Sequence, residues 1–557
     1  MGWETLVEKH AATLQAAIEA VRSRSFFAHW AEVPSGKVYG ETANEDGRQR
    51  FEGLLGKPFA ELLQVHDGFW GGHEVSPYGL PLKVEYPRTG LQEAVERAQR
   101  AQQQWQRLPV RQRAAVLVEA LERAAADFFT LAYATMHTTG QGFVMSFQAS
   151  GPHAFDRALE AVATGVLALE TFATEAVWTK PLGKGEVTVR KRFRAVPKGL
   201  GAVIGCSTFP LWNALPGVFA SLVTGNACLW KPHPAVILPA ALFVARVQQS
   251  LDVLGLDPHL LVLLSCTPEQ PLTWEVAEHP AVRIVDYTGS PAFGAELERR
   301  LGGKVVFTEK AGVNSVVVHS VADLGAVVEN LAFSFCLYSG QMCTAPQNLF
   351  VPEEGVGTGN GRLTPEEFVQ RLLQAVDALV QNPKAGPPTL GAIQNERTLQ
   401  RVREAEALGL PILRASTPIQ HPEFPEARTA TPLFLEARWR EHRELYGREW
   451  FGPIAFVVRV PDAATAIAEV ADLVRSAGAL VTSVYSTDPD FREQAVESIT
   501  AAGAPVALNF TGPIWINQSA AYSDFHGAGV NPAGNASFTD LAYVAARFGI
   551  VHVREVG

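Results

Sequence analysis

Five short segments carry side chains capable of chemistry. Gly340-Gln341-Met342-Cys343 places a thiol between a helical run and the apolar segment NLFV. A lone cysteine is most often a small buried hydrophobe, but its thiolate is a strong nucleophile accessible near neutral pH. Thr308-Glu309 ends the run KVVFTE, so a carboxylate closes an otherwise apolar strand. Strand ends in α/β folds open on the crevice where ligands bind, which places this carboxylate for general-base work, with a strand-end salt bridge as the alternative. The turn Tyr287-Thr288-Gly289-Ser290-Pro291-Ala292-Phe293-Gly294 follows VRIVD and opens AELERRL. Ser290 suits the N-cap and Pro291 the first helical position, so the free N–H groups there either meet a phosphate or belong to a plain capped turn. Lys231 stands in WKPHP, and Glu449-Trp450-Phe451-Gly452-Pro453 brings a second carboxylate in a turn.

The elements that must position these groups alternate. GLGAVIG, PLWNALPGVFASLV, ACLWKP, ILPAALFVARVQQSLDVLG, LVLLS and VRIVDYTGS read as strand, helix, strand, helix, strand and strand, the pattern of parallel βαβ units. Gly199 to Trp230 holds no charged residue, but Pro210, Asn213, Pro216 and Asn226 break it into buried strands and a helix rather than one lipid-facing span. A second alternating region runs from about Val316 to Ala504 and includes TPEEFVQRLLQAVDALVQ, where Thr364, Pro365 and Glu367 predict a capping box. Before it, EEGVGTGNGRL matches no phosphate-binding glycine pattern and is expected to be a mobile surface loop. From Leu91 two long surface helices, broken at Pro109, are expected. Between Val177 and Pro197, Val187, Val189, Phe193 and Ala195 alternate with Glu186, Thr188, Arg190, Arg192 and Arg194, which predicts a half-exposed hairpin. Residues 1–75 begin with an amphipathic helix (Leu6, Leu14, Ile18, Val21) and read as an accessory segment.

The chain has 557 residues, 47% hydrophobic and 19% charged, enough apolar material for packed cores and too little charge for disorder. Its 47 basic and 57 acidic residues leave a net charge of −10, so no overall basic field points to nucleic acid. The five cysteines include no Cys-x-x-Cys pair; a disulfide framework and a metal site are both disfavoured. Met1 to His10 carries charges and no apolar signal core, so a cytoplasmic protein without a membrane partner is expected.

Taken together, Lys231, Gly289-Ser290 to Gly294, Glu309, Cys343 and Glu449 to Pro453 follow an order and spacing that resembles the aldehyde dehydrogenase superfamily over about residues 85–557. Within it, the tail HGAGVNPAGNASFTDLAYVAARF and the long N-terminal extension are similar to the PaaN type associated with phenylacetate degradation. The resemblance implies an α/β fold with a Rossmann-like cofactor domain (76–177 and 197–308), a catalytic α/β domain (309–525) and a β-ribbon for oligomerisation (178–196 and 526–557). It implies Cys343 as nucleophile and Glu309 as the base that hydrolyses the resulting thioester. Lys231 and His233 would hold the adenosine ribose, Gly289, Ser290 and Gly294 the pyrophosphate, and Glu449 and Phe451 the nicotinamide riboside. Two departures stand out. Thr208 occupies the place of the family's oxyanion-hole asparagine, leaving the Cys343 N–H or Asn213 to share that task. Pro234 replaces the glutamate common in NAD-preferring members, so NADP is expected as cofactor, with NAD as the alternative. The expected activity is oxidation of a small-molecule aldehyde, a semialdehyde from aromatic-ring breakdown, free or CoA-linked, by a homodimer or homotetramer. A CoA-acylating reductase and a catalytically silent ligand-binding relative are the rival readings.

Overall fold

Apolar strands separated by helices can bury both faces only in parallel sheets, and two such sheets organise the chain. The computed structural model describes residues 2–310, 312–516, 521–523 and 542–556. The first sheet holds Leu200–Ile204, Cys228–Lys231, Leu261–Leu263, Val282–Gly289 and Val305–Lys310, all parallel. Across it the order runs from Leu261–Leu263 through Cys228–Lys231 and Leu200–Ile204 to Val282–Gly289 and Val305–Lys310. The chain therefore winds outward to one side, then returns to build the other, and its switch point lies between Leu200–Ile204 and Val282–Gly289. A crevice opens beyond the carboxyl ends of the strands at such a point.

The second sheet has seven strands in the order Ile412–Arg414, Leu433–Arg438, Ile454–Val460, Asn348–Pro352, Ser315–Val318, Thr482–Tyr485 and Val506–Leu508. Only the edge strand Ile412–Arg414 is antiparallel. Alternate residues feed two cores: Val317, Phe350, Phe456 and Val458 point to one face, and Val316, Leu349, Ala455 and Val457 to the other. The helix Pro365–Gln381 begins at Thr364 with the expected capping box.

An antiparallel ribbon joins Glu175–Leu182, Gly185–Pro197 and the C-terminal Phe548–Val556, with Gly185–Pro197 in the middle. It is anchored by Arg547, whose fully buried guanidinium donates to Asp286 at 2.6 and 2.8 Å and to Ser221 at 2.9 Å. Breaking such a buried pair costs about 3–5 kcal/mol, so the ribbon root is fixed to the first sheet.

Three expectations are corrected. Residues 1–75 are integral: Leu6, Leu14, Ile18 and Val21 of the helix Trp3–Ser23 enter the same core as the first sheet. For the same reason Val110–Ala125 is no surface helix. It lies beneath Trp3–Ser23 and buries ten of its residues. The stretch before Thr364 is a short hairpin, Val356–Thr358 against Gly361–Leu363, rather than a loop without structure. Glycines at φ +87 (Gly355) and +119 (Gly361) admit its turns. Among the described residues no helix is long and apolar enough to cross a membrane. The sequence tail from His526 to Leu541 lies outside the described residues.

Candidate active site

At the switch point a cavity of about 700 Å³ receives Cys206 to Phe209 from one strand end and Gly289-Ser290 from the next. Lys231, His233, Glu309, Cys343, Glu449 and Phe451 also line it. Nine of the ten residues picked from the sequence thus share one cavity. Gly294 is the exception. It sits in the second turn of Pro291–Arg300, where a Cβ would come within 2.7 Å of the Lys310 side chain, so its smallness serves helix-on-strand packing. Gly289 does line the cavity, and its lack of a Cβ makes room for the Tyr287 hydroxyl, which a Cβ would meet at 2.4 Å. Ser290 caps the helix through Phe293 N–H at 3.4 Å.

Cys343 is presented by a strained turn. After the helix Leu324–Cys336, Tyr338, Ser339 and Gly340 adopt φ of 50, 47 and 65 in succession. Each non-glycine residue there costs about 1–3 kcal/mol unless its surroundings hold it. They do. The Tyr338 hydroxyl donates to the Thr139 carbonyl, and Ser339 Oγ donates to those of Leu390 and Ala430 at 3.0 Å each. Fully buried Gln341 donates to the Tyr338 and Ala392 carbonyls at 3.1 Å and accepts from Gln394 N–H at 2.9 Å. Gly340 packs so near Gly452 that a Cβ would meet its carbonyl at 2.3 Å, which ties the cysteine turn to the Glu449–Pro453 turn.

Beyond the cysteine, Asn314 is buried and uses both ends of its amide. Nδ2 donates to the Cys343 and Ala345 carbonyls at 2.8 and 2.9 Å, while Oδ1 accepts from Leu480 and Val481 N–H at 2.9 and 3.1 Å.

The Glu309 carboxyl is buried at the end of Val305–Lys310 and hydrogen-bonds with the Cys343 thiol. Burial pushes that thiol well above its ordinary value, and Glu309 and then Cys206 add to the rise. The Arg157 guanidinium opposes it. Arg157 is itself buried, stacked 3.5 Å from the Trp212 ring centre and donating to the Trp212 carbonyl at 3.1 Å. At the far side of the cavity, burial raises Glu449 to about 8 against the pull of Arg401. Arg401 donates to the Phe451 carbonyl. Lys231 is buried, which lowers its ammonium, and the Cys266 thiol partly offsets that. Thr208 lines the cavity beside Cys343, and its carbonyl accepts from Gln141 Nε2 at 2.8 Å. Asn213, on the first turn of Pro210–Val223, donates to Cys206 Sγ at 3.3 Å.

Sequence reasoning missed Asn314, Arg157, His73 and the trio Asn395, Thr398 and Arg401. The trio had a signal: Asn395 caps Glu396–Glu406, and the i, i+3, i+6 spacing puts all three on the face that meets the cavity. His73 brings the N-terminal segment into the same wall. A second cavity, of about 350 Å³, also ends at Cys343 and is lined by aromatic and aliphatic groups, among them Phe209, Trp212, Phe333 and Trp515.

The Aldehyde dehydrogenase family model matches residues 85–532. The crystal structure of an NAD-dependent aldehyde dehydrogenase from Burkholderia multivorans superposes with a TM-score of 0.96 at 43% identity over 99% of each chain. A 1-pyrroline-5-carboxylate dehydrogenase variant from Thermus thermophilus shares the fold, with a TM-score of 0.76 and 19% identity over 96% of this chain and 99% of that one. Among curated proteins, the succinate-semialdehyde dehydrogenase [NADP(+)] of Deinococcus radiodurans is 27% identical over 79% of this chain and 85% of its own length. The N-succinylglutamate 5-semialdehyde dehydrogenase of Pseudomonas fluorescens is 29% identical over 52% of this chain and 57% of its own. With its parallel sheets, a thiol and a carboxylate facing each other at the switch point, and that similarity along its whole length, the chain belongs to the aldehyde dehydrogenase family, whose members oxidise aldehydes with NAD or NADP.

Proposed function

We propose that the protein oxidises an aldehyde to the carboxylic acid through a covalent bond to Cys343, with Glu309 as the hydrolytic base. The observation that carries this reading is that Cys343 lies in the wall of both cavities while the Glu309 carboxyl faces its thiol. The larger cavity suits a dinucleotide: a cation is buried at one end (Lys231), a capped helix start stands midway (Ser290), and an acceptor carboxyl lies at the other end (Glu449). When bound, the nicotinamide supplies a hydride acceptor. The residues do the rest. Cys343 Sγ adds to the aldehyde carbon, and Thr208, the Cys343 N–H and Asn213 are the donors at hand for the oxyanion. Loss of hydride leaves an acyl thioester on Sγ. Glu309 then takes a proton from water, which attacks the thioester and frees the thiol and the acid. A base within reach of the thioester favours hydrolysis over transfer to CoA.

In this reading residues 76–177 and 197–308 hold the cofactor, and 309–525 carry the chemistry. NADP is the proposed cofactor alongside NAD. Among the described residues of the larger cavity the only carboxylates are Glu309 and Glu449, both at the nicotinamide end. His73, Lys231, His233 and Pro234 would surround the adenosine end, with no carboxylate among the described residues there to repel a 2′-phosphate. Glu269 carries a carboxylate near His73 but is exposed and outside the wall. The proposed substrate is a semialdehyde of aromatic-ring breakdown, free or CoA-linked, as in the PaaN type. The proposed assembly is a homodimer or homotetramer built on the ribbon, whose Val177, Trp178, Leu182, Val187, Ile550 and Val553 are exposed in the single chain.

Substitution tests the nucleophile. Cys343→Ala should abolish NAD(P)H formation and leave cofactor affinity unchanged, whereas Cys336→Ala, in a fully buried helical position, should retain turnover. Turnover by Cys343→Ala refutes the reading.

A further inference from the structure

We infer that the smaller cavity selects an uncharged apolar or aromatic acyl group and rejects aldehydes that end in a free carboxylate. The inference rests on Cys343 as the nucleophile, because that residue is where the passage ends.

The walls are Met145, Phe209, Trp212, Phe333, Leu337 and Trp515, with the uncharged polar groups of Gln148, Thr344 and Thr389 between them. Phe333 and Trp515 stack with centroids 4.3 Å apart and planes at 30°. Their ring faces present broad apolar surfaces, and the neutral donors nearby carry no positive charge to offset a carboxylate. Among the described lining residues the ionisable groups are Cys343 and His153 alone. His153 Nε2 already lies 2.9 Å from a Glu32 carboxylate oxygen, so the cation it would form is matched before any substrate arrives. Arg157 does not line the passage. It is buried behind the Trp212 ring with the carboxylates of Glu160 and Glu309 in its field.

A carboxylate drawn into such a passage loses its water and finds no lysine or arginine among the described lining residues, so the penalty falls on the whole reaction path and appears in kcat/KM. An aryl or alkyl chain has the opposite balance, gaining from each Å² removed from water. The volume of about 350 Å³ falls within the ~300–1,000 Å³ range of small-molecule sites. Of the two forms of the proposed semialdehyde, this rule excludes the free acid and keeps the CoA-linked one. Its carboxyl is masked as a thioester, the chain beside the aldehyde is neutral, and the charged part of CoA stays outside.

The test compares kcat/KM of the wild-type enzyme for phenylacetaldehyde and octanal with that for succinate semialdehyde and glutarate semialdehyde. The neutral aldehydes should lead by at least about 100-fold. Met145→Arg, which places a cation in the wall, should narrow that ratio by about tenfold or more. Binding to Cys343→Ala by calorimetry gives a readout independent of turnover: phenylacetamide should bind and succinamate should not. If no aldehyde is oxidised, the proposed reaction fails while the amide pair still decides the passage. A kcat/KM for succinate semialdehyde within about tenfold of that for phenylacetaldehyde, or equal binding of the two amides, overturns the inference.

Discussion

Asn314 makes the sharpest structural prediction, because one side chain joins the cysteine turn to the segment leading into the strand Thr482–Tyr485 through four hydrogen bonds. It donates to the carbonyls of Cys343 and Ala345 and accepts from the N–H groups of Leu480 and Val481, all between 2.8 and 3.1 Å. Asn314→Ala removes all four at a fully enclosed position. At a net worth of about 1 kcal/mol each, the loss is about 4 kcal/mol, and the stranded buried groups push it higher. For a unit of some 200 residues each kcal/mol moves the melting midpoint by about 2–4 °C, so a fall of about 8 °C or more is expected in thermal scanning. The chemical consequence is larger. With the Cys343 carbonyl released, Sγ is no longer held against Glu309, and a misplacement near 1 Å costs about 10²-fold in kcat. Dinucleotide affinity should change little, since Lys231 lies in the other sheet and Ser290 caps the helix that follows one of its strands. A variant whose kcat stays within about twofold of wild type would show that the clamp does not position the thiol.

Three further outcomes follow from charge. Glu449 is raised to about 8 by burial, so below that pH it is mostly protonated in the folded enzyme. Ribose hydroxyls donate better to the carboxylate; cofactor Kd should therefore tighten as pH rises through about 8, and Glu449→Gln should flatten that profile in a fluorescence titration. Its raised value also means that Glu449's contribution to stability is present below its unfolded value near 4.3 and lost as pH rises towards 8. At the other end of the cavity, Pro234→Glu should shift kcat/KM towards NAD by about tenfold or more, mainly through a weaker KM for NADP, because a carboxylate would face the 2′-phosphate. A wild-type enzyme that strongly prefers NAD would contradict the proposed cofactor range.

Much of the site was legible because its residues lie where chain direction reverses. Strand ends and helix starts leave local marks: Glu309 closes an apolar run, Ser290 and Pro291 open a helix, and Cys343 stands between a helix and a strand. The ribbon was legible from period-two alternation. What escaped depended on long-range packing. Asn314 looks like any polar residue before a strand, and its role exists only because Leu480 and Val481 come alongside. Arg157 lies among the buried residues of Pro152–Leu169, where a cation is recognisable only once Trp212, Glu160 and Glu309 surround it. The N-terminal segment read as accessory because amphipathicity shows that a face is buried and not against what. Gly294 was given to a phosphate by motif order, whereas its neighbours are Lys310 and Tyr287.

The central claim is a covalent path through Cys343 completed by Glu309, and one measurement tests it most directly. Glu309→Gln, mixed with aldehyde and NAD or NADP, should release a single burst of reduced cofactor per active site and then stall, since the thioester forms before the base is needed. Mass spectrometry of the stalled protein should find the acyl group on the peptide that contains Cys343. Steady turnover without a burst, or an acyl group on Cys206 or no cysteine at all, would contradict the account.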